Sequence, residues 1–161
     1  DLTAALRKRL PAEALISHAP QAPYLDPAWQ GGPYIDVLHA VGDAIDWIMV
    51  QYYNNPDYEA PVARQIVGQS PQPFATSYAG IVNSPWPSEK TLVGLPVYRD
   101  DASSGHLPPQ RVVSEVVCPL RHRYGPTFGG LTGWQFSTLT PDHRFWNDQM
   151  SGAVIGSGCD K

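Results

Sequence analysis

An α/β fold built of parallel βα units is what this sequence predicts, and three observations carry it. Short apolar runs rich in branched or aromatic residues alternate with helix-like segments, and the alternation repeats every roughly 30 to 45 residues. Each apolar run also ends in polar or aromatic side chains: "HAPQAPY", "QYYNN", "PVYRDD" and "WQFST". A (βα)8 barrel gathers the C-terminal ends of all its strands around one pocket, whereas an open doubly wound sheet uses mainly its switch point. With chemistry at the end of every strand and no glycine-rich phosphate loop after any of them, part of a barrel fits better.

The elements follow in order. Residues 2–10, "LTAALRKRL", have the charge and apolar spacing of an amphipathic helix and not the greasy middle of a signal peptide. Any targeting segment is expected to have been removed or never to have been on this chain. Strands are expected at 14–21, 45–53, 91–96 and 130–136, each flanked by Pro, Gly or Asn. Helices are expected at 34–44, 73–82 and 110–125, with a last helix around Trp146. In the segment 110–125, Val112, Val113, Val116, Val117 and Leu120 share one helical face, and Gly125 marks its stop.

Composition excludes several classes of function. The 161 residues suffice for one domain, read as a single unit over 1–161, with a sizeable core. A net charge of -4 without any Lys/Arg block argues against nucleic acid or an anionic membrane as main partner. No apolar run approaches the ~18 residues of a membrane-spanning helix. Cys118 and Cys159 lack metal-ligand spacing, so no metal and no cofactor is expected, and whether they are bridged to each other, bridged to another chain or free stays open. Five Trp, eight Tyr and 17 Pro give the ring-rich, proline-bounded loops common in sugar-binding proteins.

Four motifs carry a resemblance. "APQAP" (19–23), "VQYYNNP" (50–56), "VGLPVYRDDASSGHLPP" (93–109) and "YGPTFGGLTGWQFS" (124–137) resemble, in order and spacing, barrel strands five to eight of glycoside hydrolase family 18. That family comprises chitinases and endo-β-N-acetylglucosaminidases, with inactive lectin and inhibitor relatives. The acidic signature DxxDxDxE of its fourth strand is absent from this sequence. The resemblance therefore implies the C-terminal half of a TIM barrel, strands five to eight with their helices. Half a barrel would leave unpaired strand edges and a wet inner face, so a partner chain is expected. An N-terminal half from the same precursor is the simplest partner, and a second copy of this chain is the alternative. The resemblance also implies a secreted protein.

It further implies residue roles. Family members use the substrate's own 2-acetamido group as nucleophile, so only one strong acid is needed, here on the missing half. Tyr53 matches the catalytic tyrosine that holds the acetamide carbonyl under the anomeric carbon. Gln51, Asn54, Gln21, Tyr98 and Trp134 match or flank substrate-binding positions, with Trp134 as the hydrophobic floor beneath the sugar. The peptide after that tryptophan is often cis in the family, which singles out Trp134–Gln135. The bland alternatives are a core Tyr with a satisfied hydroxyl at 53 and a core Trp at 134.

Elsewhere the plain readings lead. Tyr24, Arg99, Asp100 and Asp101 are expected on the binding face, though a solvated ion pair serves Arg99 and Asp101 equally well. Trp29, Trp47, Trp86 and Trp146 could be stacking platforms, but Trp47 and Trp146 are expected to pack between strands and helices. Ser17 and His18 face opposite ways on a strand and cannot form a nucleophilic couple. If Cys118 and Cys159 are structural, the C-terminal tail is expected to reach the 110–125 helix only by crossing neighbouring helices. The functions in play are a substrate-assisted retaining hydrolase of N-acetylglucosamine-containing glycans, a chitinase-like lectin, and an inhibitor with a blocked groove.

Overall fold

The computed structural model describes residues 2–31, 33–55, 62–68, 75–84, 86–135 and 141–159. Strands β1 (Ser17–His18), β2 (Trp47–Gln51), β3 (Thr91–Pro96) and β4 (Leu131–Trp134) form one parallel sheet in the order β1-β2-β3-β4. Each strand lies beside the next in sequence and the order never reverses. A doubly wound sheet reverses at its switch point, so this is the winding of a barrel segment, as the strand ends suggest.

The helices described are α1 (Leu2–Arg9), α2 (Tyr34–Val41), α3 (Val62–Val67), α4 (Tyr78–Asn83), the composite α5 and α6 (Pro141–Val154). Helix α5 runs on through Pro109–Arg111, a π-wound Val112–Val117 and Cys118–Tyr124. The widening has a cause in the sequence. Pro119 lacks an N–H, and its ring would collide with the Glu115 carbonyl in a regular α-turn. Accordingly the Cys118 N–H donates five residues back, to the Val113 carbonyl.

Among the described residues, the sheet is covered on one face only. Ile48, Val50, Tyr52, Val93, Leu95 and Val97 point into the helix layer and are buried, against Val112, Val116, Val117 and Leu120 of α5 among others. The opposite face carries Trp47, Met49, Gln51, Leu92 and Thr132, all half-buried, with Met49 paired to Leu92, and Gln51 and Thr132 flanking Gly94. All-parallel sheets bury both faces in finished proteins. The uncovered face corresponds to the inside of a barrel.

Several expectations need correction. Strand β1 is two residues long, not the eight of 14–21, because Pro20 cannot donate to a ladder; beyond it only an isolated bridge joins Gln21 to Gln51. Helix α3 is additional. Helix α4 starts at Tyr78, where Ser77 Oγ accepts the Gly80 N–H at 3.0 Å as an N-cap; residues 73 and 74 of the expected helix lie outside the described residues. Trp47 does not pack against helices but shares the uncovered face with Met49 and Gln51. Trp146 does pack as expected, over Gly133 of β4, where an added Cβ would stand 3.1 Å from the indole.

Cys118 and Cys159 are bridged, with Cα atoms 5.3 Å apart. No crossing of helices is needed, because α6 lies directly against α5. Gly156, at φ 99°, then lets the chain turn back towards Cys118.

Candidate functional site

The end of β2 organises the site. Tyr52 points to the helices, fully buried, and its hydroxyl donates to the Thr76 carbonyl at 2.8 Å. Gln51 and Tyr53 point the other way, as a period of two requires. Asn54 then takes φ 58°, a left-handed conformation that Asn tolerates better than most residues, and breaks the chain off the strand. Asn55 holds the turn from below, its Nδ2 donating to the carbonyls of Tyr53 (2.6 Å) and Gln51 (3.2 Å). The polar run after the strand is thus partly a device for aiming Tyr53.

A second strand end meets the first. The ring of Tyr53 lies near-parallel to that of Trp134 at the end of β4, with centroids 6.3 Å apart. Trp134 is 48% exposed and is therefore not a core residue. Its indole Nε1–H donates to the Asp101 carbonyl at 3.0 Å, which fixes the ring while leaving a face open. The Trp134–Gln135 peptide is cis, at the position singled out from the sequence. Tyr53 is 7% exposed, and burial raises its hydroxyl above the usual phenol range, so the hydroxyl stays protonated. Among the described residues that hydroxyl has no hydrogen-bond partner.

The segment after β3 straps these groups together, and sequence reasoning missed it. Asn54 Oδ1 accepts from Ser103 through both N–H (2.8 Å) and Oγ–H (2.7 Å). Two residues earlier, Asp101 supplies the carbonyl that holds Trp134. Two residues later, Gly105 at φ 88° passes so close to Tyr53 that an added Cβ would stand 2.7 Å from its Cα. The one signal in the sequence was "NN" facing "SSG", but nothing linear says that they meet. On the same strap His106 is held below the usual imidazole range, first by burial and then by the positive charge of Arg99.

The remaining candidate residues fall as follows. Gln51 and Gln21 lie side by side across the β1–β2 bridge, and Gln51 Nε2 donates to the Ala19 carbonyl at 2.5 Å. Tyr98, 40% exposed, begins the strap, and its backbone N–H donates to Asp101 Oδ2. Asn54 reaches the same rim, but its side-chain oxygen is engaged by Ser103, which makes it a clamp first. Trp86 is no platform: it is buried over Gly42, with the Lys90 ammonium 5.5 Å from its ring. His18 sits on the helix side, bonded to the Tyr34 hydroxyl (2.6 Å) and Thr3 Oγ1 (3.2 Å), away from Ser17. Among the described residues no cluster of three or more His, Cys, Asp or Glu could hold a metal, and no helix is long and apolar enough to cross a membrane.

Comparison with known proteins gives a consistent answer. No family model matches the chain. The chain is 25% identical over 151 residues to an acidic endochitinase of Arabidopsis thaliana, covering 88% of itself and 40% of that protein. Among solved structures, a GH18 chitinase from Pseudoalteromonas aurantia superposes with a TM-score of 0.77 at 39% identity, over 94% of this chain and 51% of that one. A fungal endo-β-N-acetylglucosaminidase of glycosyl hydrolase family 18 shares the fold, with a TM-score of 0.69 at 23% identity over 96% and 50% of the two chains. The chain thus spans about half the length of the proteins it matches. In fold, and in the order of its strand-end motifs, it is similar to glycoside hydrolase family 18 proteins and corresponds to half of their TIM barrel.

Proposed function

We propose that this chain is the C-terminal half of a family 18 barrel that binds and hydrolyses N-acetylglucosamine-containing glycans with retention, assisted by the substrate's acetamide. The observation that carries this reading is the protonated Tyr53 hydroxyl, without a hydrogen-bond partner among the described residues, beside the open face of Trp134. A pyranose resting its C–H face on the indole would bring its 2-acetamido group to Tyr53. The phenol then donates to the acetamide carbonyl and holds it for attack on the anomeric carbon. Gln51, on the same face of β2, lies between this pair and the side of the sheet where the general acid would stand. That acid, a glutamic acid on the other half, protonates the departing glycosidic oxygen.

Completion by four more strands, on this or another polypeptide, is part of the proposal. Apolar exposure supports it. Leu2 and Leu6 on α1 and Leu10 just after it recur every four residues and, with Leu15, flank the β1 edge; Phe145 and Ile155 lie on and just after α6, which covers β4 at the other edge. The further exposed aromatics, Tyr24, Tyr98 and Trp134, all lie at the C-terminal ends of the strands. Two sets of exposed groups thus border the missing half, and one borders the proposed ligand. The Cys118–Cys159 bridge favours an oxidising, extracellular setting.

The test is to give the complete barrel chitooligosaccharides and N-glycans and to measure both binding and hydrolysis. Hydrolysis with the β-anomer released supports the proposal. Tight binding without hydrolysis would make the protein a chitinase-like lectin, and neither would end the glycan reading.

A further inference from the structure

The indole of Trp134 is anchored by a turn that lies outside the core. The main chain of Trp134 is fixed by the sheet: the residue pairs with Pro96 across β3 and β4, and its carbonyl accepts the Val97 N–H at 2.7 Å. That ladder does not fix the exposed ring, whose hydrogen bond among the described residues is the Nε1–H donated to the Asp101 carbonyl at 3.0 Å. The carbonyl belongs to a single 3₁₀ turn, Arg99–Asp101, in which no residue is buried. The chain enters it extended at Tyr98 and leaves it extended at Ala102, so no longer helix keeps the turn in shape. Two bonds between its ends close it. The Asp101 N–H donates to the Tyr98 carbonyl at 3.2 Å, and Asp101 Oδ2 accepts the Tyr98 N–H at 2.8 Å. One residue thus closes the turn with its side chain and holds the indole with its backbone.

We propose that Asp101 is a positioning residue for Trp134: its carboxylate locks the turn and so aims the carbonyl that sets the orientation of the indole under the sugar. The inference rests on the glycan reading given above and adds to its site a residue that acts through Trp134 and not on the glycan. Of the two bonds that close the turn, the backbone one is at the long end of the N–H···O range, whereas the carboxylate one is short and charge-assisted. Without the carboxylate the weaker bond is left to hold the turn, and the carbonyl can swing away from Nε1. A shift of about 1 Å in a group that orients the substrate costs far more than the hydrogen bond that prevented it. The turn buries no residue of its own, so its closure matters at the indole and not in the core.

Titration calorimetry of the complete barrel with chitopentaose, over a double-mutant cycle of Asp101→Ala and Trp134→Phe, tests this. Trp134→Phe keeps an aromatic ring but has no Nε1–H for the turn to hold. Asp101→Ala is expected to weaken binding about tenfold beside the wild-type tryptophan and less than about twofold beside the phenylalanine. Asp101→Asn, whose amide oxygen can still accept the Tyr98 N–H, is expected to stay within about threefold of wild type, and urea midpoints should barely move in any of these variants. Equal weakening in both backgrounds, weakening in neither, Asp101→Asn no better than Asp101→Ala, or a urea midpoint that falls with the affinity overturns the positioning role and leaves the glycan reading intact. Absence of chitopentaose binding by the unaltered protein overturns both.

Discussion

The phenol of Tyr53 and the indole of Trp134, from strand ends 81 residues apart in sequence, lie near-parallel with planes inclined by only 17°. Neither ring is held by the other alone. Asn54 and Gly105 fix the backbone around Tyr53, and the Asp101 carbonyl fixes the indole. The segment from Asp101 to Gly105 is the mechanical link between the two rings.

That link predicts how Asn54 responds to substitution. Asn54→Gly keeps the left-handed backbone and loses the two hydrogen bonds from Ser103, which should cost about 1 kcal/mol. Asn54→Ala also forces a Cβ into φ 58° and should cost about 2 to 3 kcal/mol. Urea midpoints check the order; equal losses would mean that the backbone conformation contributes nothing.

A second prediction concerns acid. Asp46 accepts the Ile16 N–H and an Arg7 N–H, both at 2.6 Å, and these bonds, the backbone one foremost, hold its carboxyl below the usual range. A carboxyl depressed in the folded state stabilises the fold above its unfolded pKa, and the contribution fades as pH falls through the folded one. Asp46→Asn should therefore cost about 1 kcal/mol at pH 7 and almost nothing near pH 2. A gap between wild type and variant that stays constant with pH would show that the charge is irrelevant.

The disulfide closes a loop with a sequence separation of 41 residues. Constraining the unfolded chain over that length is worth about 4 kcal/mol on the chain-entropy account. Reduction, or Cys118→Ser with Cys159→Ser, should lower the denaturant midpoint accordingly, and an unchanged midpoint would contradict this.

The leucine stripe of α1 tests the proposed completion of the barrel. In the complete barrel Leu6→Lys should cost about 2 kcal/mol, because a buried apolar contact is replaced by a charge. In this chain alone the same change should be close to neutral, since Leu6 is 39% exposed there. Unfolding of both forms decides it, and equal effects would place the stripe in solvent in the intact protein.

Much of this architecture is legible in the sequence. Strand β3 was expected at its observed residues, and the branched face of α5 is buried as its spacing indicates, because both signals depend on local periodicity. What failed depended on particular atoms or distant partners. Pro20 shortens β1 by lacking one donor, Pro119 widens α5, and Trp47 faces inward because strand parity outweighs its apolar character. The pairing of Tyr53 with Trp134 was expected only through the resemblance, and the strap that holds them is a long-range relationship that no spacing encodes.

The central claim is that Tyr53 orients the substrate's own acetamide for attack. Steady-state kinetics and binding of chitooligosaccharides to the complete barrel, wild type against Tyr53→Phe, test it most directly. Loss of that orienting hydroxyl should lower kcat by roughly two to three powers of ten, about 3 to 4 kcal/mol of barrier. Affinity should fall by no more than about tenfold, the worth of one neutral hydrogen bond. If Tyr53→Phe turns over at nearly the wild-type rate, or loses affinity and turnover in equal measure, Tyr53 is only a binding contact and the account is contradicted.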